Sequence, residues 1–178
     1  MSLGFWKEAS PRNKRIISII IVFVFSILIT TAGVLTPVEE HEAIETRNEL
    51  NDMINWLKEK NLLLHFIFGN NFMITLIMFI PIIGPLFGGY VFYNTGVLIA
   101  ALATAQNAPP TLVFLLLFLT PVAWLEFFAY STAIAESIWL VRRILQRRGK
   151  HELVNASMFI SICAVLLAVA AVIETAMV

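Results

Sequence analysis

The chain has 178 residues, of which 59% are hydrophobic and only 13% charged, with formal charges that cancel to zero. From Asn61 to Leu125 there is no Lys, Arg, Asp or Glu. That excludes an ordinary soluble domain, which carries about 25% charged residues, and points to one polytopic membrane domain, since a span needs only about 20 apolar residues. The single cysteine, Cys163, lies in an apolar run. It excludes an intramolecular disulfide and reads as a small packing residue.

Residues 1–15 carry the aromatic pair Phe5 and Trp6 and four basic residues, Lys7, Arg12, Lys14 and Arg15. The apolar run at 16–35 is longer than the roughly 7–15 residues of a signal-peptide core, so it predicts a first membrane helix, stopped by Pro37. Residues 38–60 are the one long polar segment, with seven acids against three bases. Ala43, Ile44, Leu50, Met53, Ile54 and Leu57 recur at helical spacing there. This predicts an amphipathic helix on the surface or packed over the bundle, with Trp56 at headgroup level. The acids Glu39, Glu40 and Glu42 and the imidazole of His41 read as a solvated face, since no Ca²⁺-loop glycine accompanies them.

Two crossings are expected next, at 62–82 and 86–105, with the breakers Pro81, Gly84, Pro85, Gly88 and Gly89 between and within them. His65 reads as an interface residue. Asn70, Asn71 and Asn94 place amides in apolar runs, where an amide seeks a partner on another helix. Inter-helix hydrogen bonding is the preferred reading, and a polar lining the alternative. The residues after a short turn at 106–110, from Thr111 to Arg148, organise the chain. Pro121 suits the first position of a helix with Thr120 as its cap, and 121–141 alone is long enough to span. The preceding 111–120 either crosses as the upper part of a kinked helix at 111–141 or forms a re-entrant piece. A basic loop at 142–153 and a last crossing at 154–173 complete five predicted membrane helices. The basic residues at both ends of this pattern put the N-terminus in the cytoplasm and the acidic segment and C-terminus outside.

An ionisable group within a span costs about 2.5–3.5 kcal/mol on insertion scales and faces protein or water. Glu126 is the leading candidate. It shares a helical face with Tyr130, Ala133 and Ser137, and Ala129, Ala133 and Ser137 form a small-residue stripe that admits a close neighbour. It reads either as a proton, ion or substrate ligand or as a hydrogen-bonded structural carboxyl. Glu136 lies roughly 15 Å further along the helix and cannot form a dyad with it; ion pairing towards the arginine block is expected for it. Glu174 is expected at the outer interface. No nucleophile–base pair, metal cluster or phosphate loop is recognisable, so the chain reads as non-enzymatic, without cofactor or metal and without nucleic acid.

Three short motifs carry a family resemblance: Phe68-Gly-Asn70-Asn71, Tyr93-Asn94-Thr95-Gly96, and Pro121 with Glu126 and Ala129. With them, residues 62–178 resemble the stage II sporulation protein M family. That family shows Pro-His-Gly-x-x-Glu at the last place; here Val122 and Ala123 stand for the His and Gly. The resemblance implies a small plasma-membrane protein of bacteria or archaea, the namesake being similar to an anchor of a wall-remodelling complex. The resulting expectation is a homo-oligomeric scaffold or complex subunit contacting lipids and other envelope proteins. The alternative is a channel or carrier with Glu126 on its pathway.

Overall fold

The computed structural model describes residues 10–147 and 149–177, so Phe5, Trp6, Lys7 and Arg148 lie outside the described residues. The described chain is all-helical, with seven helices: α1 (Pro11–Val34), α2 (Glu40–Glu59), α3 (Leu63–Met78), α4 (Ile83–Thr104), α5 (Pro110–Leu117), α6 (Pro121–Leu145) and α7 (Gly149–Met177).

α1 starts before the apolar run, because Ser10 caps it by accepting from the Asn13 amide at 3.2 Å and Pro11 occupies the first turn. Arg12, Lys14 and Arg15 are therefore on the helix and not in a flanking tail. Where α1 crosses α4, Gly33 and Gly96 face each other. A Cβ at Gly33 would strike the Tyr93 carbonyl, and one at Gly96 the Thr30 carbonyl. Only glycine allows backbones this close. α2 packs mainly on α4 and buries Ala43 and Leu57, while Ile44 and Met53 of its expected apolar set stay exposed, as does Trp56. Arg47 ties it down by donating to the Ala105 carbonyl at 3.0 Å, where α4 ends.

The boundaries differ from the apolar runs in three places. α3 ends at Met78, not at 82, and its 16 residues give only about 24 Å of rise. The turn after it needs a positive φ at Ile82 (70°) and a glycine at 84, where any Cβ would meet the Met78 carbonyl. Pro85 does not break α4, since it lies in the first turn, whose N–H groups have no intrahelical partner anyway. The run 111–141 is two helices bent by 84°. Pro121 begins the second with Thr120 at the N-cap position, but the Thr120 side chain makes no capping hydrogen bond: its hydroxyl donates back to the Leu117 carbonyl at 2.7 Å, at the end of α5. α6 then runs on to Leu145, and the basic loop predicted at 142–153 shrinks to a short connection before Gly149.

By length and composition, three described helices can cross a membrane, or four if the bent pair α5–α6 counts as one span. The remaining predicted crossing, α3, is too short for that test. α6 makes its largest contact with α7. The stripe Ala129, Ala133 and Ser137 is fully buried there and against the α3–α4 turn: the Cys163 thiol reaches the Ala129 carbonyl at 3.5 Å, and Ser137 donates to the Ile80 carbonyl at 2.9 Å. The stripe is thus consumed inside the chain rather than offered to a second copy.

A candidate acidic site at the Pro121 end of the bundle

The 84° bend leaves a gap at the start of α6, closed by α4, α5 and the end of α7. It forms a cavity of about 310 Å³, lined among others by Glu126, Glu174, Thr95, Phe114, Phe118 and Phe127. Glu126 is one turn into α6, half-buried, and accepts from Asn71 Nδ2 of α3 at 2.5 Å. Glu174 reaches the same cavity from the last turns of α7. The antiparallel packing of α6 and α7 brings the end of one beside the start of the other.

The aromatic wall is fixed by its own packing. Phe118 meets Phe114 and Phe127 edge-on, with ring centroids 5.2 and 5.3 Å apart. The Trp124 indole donates to the Phe118 carbonyl at 2.8 Å and stacks on Phe23 of α1 at 5.9 Å. These contacts bridge the break in the chain and hold it open as an elbow. Two carboxylates from different helices, a side-chain amide and three phenyl rings can hold a small cation. A carboxylate supplies the counter-charge, and ring faces attract cations within about 6 Å.

The other residues singled out in the sequence fall elsewhere. Tyr130, one turn beyond Glu126, is 7% exposed and packs edge-on to Phe92 at 6.0 Å. Asn70 is exposed on α3 and does not join the site. Asn94 is exposed and donates to the Tyr90 carbonyl of its own helix at 2.8 Å, away from the cavity at Glu126. Glu136 is at the opposite end of α6. It is 2% exposed and pairs with Arg15 of α1, Nε to Oε1 3.3 Å, not with the arginines of its own helix. The expected ion pair is present, but its cation comes from α1, because the antiparallel packing of α1 and α6 brings Arg15 inward at that depth. Arg15 also lies over the rings of Trp139 (5.9 Å) and Phe159 (5.5 Å). Among the described residues no group of three or more His, Cys, Asp or Glu is placed to hold a metal ion.

The family model of stage II sporulation protein M matches residues 18–177. The chain belongs to the stage II sporulation protein M family. No curated protein and no solved structure matches it. The match takes in most of α1 and all of α2, well beyond the 62–178 over which the short motifs are visible. Val122 and Ala123, standing where the sporulation protein M pattern has His and Gly, both line the cavity. This member therefore has an apolar wall where the pattern would place an imidazole, and Glu174 is the ionisable group that shares the cavity with Glu126.

Proposed function

We propose that this protein is a membrane carrier or channel that admits a small cationic solute or a proton at the cavity between α4, α5, α6 and α7, with Glu126 as the principal counter-charge. One observation carries the reading: two carboxylates on separate helices face a single aromatic-walled cavity where the α5–α6 pair is broken. Broken helices beside intramembrane acids are how transporters build solute sites in an apolar layer. Orientation follows the same logic. Arg15 and Trp139 join the start of α1 to the end of α6, so Arg12, Lys14, Arg142 and Arg143 gather at one end of the bundle. Short basic segments mark the cytoplasmic side, so the cavity faces outward.

The test is flux into vesicles reconstituted with the full chain, using protons, monovalent metal ions and small ammonium ions as solutes. Native protein is expected to support flux of at least one of them, and Glu126→Gln or Glu174→Gln to lower it by about tenfold, the effect of about 1.4 kcal/mol of lost charge contact. Equal flux for native protein and Glu126→Gln removes Glu126 from the mechanism.

One observation favours the second reading, a scaffold or complex subunit. α3, about 24 Å long, falls short of a hydrocarbon layer of about 30 Å, and association is one way a short helix is accommodated. The small-residue stripe no longer supports it. A monomeric mass in several mild detergents, with nothing co-purifying, sinks this reading.

A further inference from the structure

At the end of the bundle away from the acidic cavity, Lys14 of α1 and Trp139, Arg142, Arg143 and Gln146 at the end of α6 surround a recess of about 180 Å³. That is the volume of about six waters at about 30 Å³ each, the scale of a phosphodiester group and not of an acyl chain. The cations are held in place. Arg142 and Arg143 lie over the Trp139 ring at 5.3 and 5.8 Å, and Arg143 donates to Gln146 Oε1 at 3.3 Å. The indole itself is anchored, donating to Ser18 Oγ at 3.2 Å. The acid on the same helix, Glu136, pairs with Arg15.

From this arrangement we infer that the recess is a binding site for the phosphate of an anionic membrane phospholipid. The depth selects lipid over a soluble anion. Lys14 is in the first turns of a span that begins at Arg12, and Trp favours the headgroup layer, which is where lipid phosphates lie. Guanidinium groups suit phosphate because they donate two parallel hydrogen bonds to it. Basic pockets between membrane helices take anionic headgroups in the same way. The site is independent of the cavity at Glu126, and either can fail without the other.

The experiment is native mass spectrometry of the full chain in neutral detergent, titrated with phosphatidylglycerol, phosphatidylcholine or inorganic phosphate. One phosphatidylglycerol per chain is expected to bind about tenfold tighter than phosphatidylcholine, and inorganic phosphate far more weakly than either. R142Q/R143Q is expected to weaken phosphatidylglycerol by about tenfold or more, since each cation near a headgroup contributes about a fivefold factor. R12Q/R147Q, which removes two charges from the same end but outside the recess, is expected to weaken it by less than about twofold. Equal losses in the two double variants overturn the site in favour of a diffuse field, and so does equal binding of the two lipids. Inorganic phosphate binding as tightly as phosphatidylglycerol assigns the recess to a soluble anion and overturns the lipid. If R142Q/R143Q does not fold, Lys14→Gln reads the same site, with about a fivefold loss expected and no loss overturning it.

Discussion

Glu126 and Glu136 sit on one helix, ten residues apart, in opposite surroundings. Glu136 is sealed from solvent and answered by a guanidinium, with Trp139 and Phe159 packed around that cation. Glu126 is half-buried, answered by a neutral amide, and faces a cavity that holds a second carboxylate. The charge at one end is cancelled within the protein; at the other it is left to be cancelled from outside. An acid in an apolar span is therefore not evidence of a ligand site until its partner is known, and here the partner separates the structural acid from the functional candidate.

The sharpest way to break the comparison is at the sealed end. Arg15→Ala strands a buried carboxylate and is expected to cost about 3–5 kcal/mol in thermal unfolding in mild detergent, whereas R15M/E136L, replacing both charges by apolar groups, recovers most of that loss. A loss under about 1 kcal/mol for Arg15→Ala means that water reaches Glu136, and the two ends are then alike. Next comes Gly84→Ala, whose Cβ would meet the Met78 carbonyl and Ser137 Oγ. It is expected to cost about 1–3 kcal/mol by overpacking the turn against α6. At the open end, Glu126→Gln keeps an acceptor for Asn71 and is expected to shift stability by under about 1 kcal/mol while lowering flux; a large destabilisation would make Glu126 a structural acid like Glu136. The smallest effect is expected from Tyr130→Phe. Tyr130 is buried against Phe92, and removing its hydroxyl leaves the ring in place, so the expected loss is at most about 0.5 kcal/mol, the low end of what one hydrogen bond contributes. A larger loss reveals a partner for that hydroxyl within the open end.

Much of this was legible in the residues. The uncharged run announced membrane helices, Pro121 announced the break, and the cost of a carboxylate in lipid singled out Glu126. The partners were not legible. Arg15 was hidden because the apolar run starts at Ile16, and hydropathy says nothing of a helix that begins five residues earlier at a Ser-Pro cap. Glu174 lies 48 residues beyond Glu126 and meets it only through the antiparallel packing of α6 and α7, which no local pattern encodes. Of the three amides, only Asn71 finds Glu126. Asn70 is one position, about 100°, round the same helix, and Asn94 turns back to its own backbone. Helix ends also misled: α3 stops early because the Ile82 turn and the glycine at 84 fit the chain against Ser137, a tertiary requirement.

The crossing at Gly33 and Gly96 has a steric consequence. Helices that meet backbone to backbone have no side-chain cushion between them, so the α1–α4 crossing has no room for a side chain at either glycine, and Arg47 ties α2 to the end of the same α4. α5 is packed on the α1–α4 pair through Phe114, Val34 and Ile99, while both acids belong to the α6–α7 pair. The acidic cavity therefore lies where α4 and α5 meet the α6–α7 pair, while α1 is held to α6 by the Arg15–Glu136 pair and the Phe23–Trp124 stack.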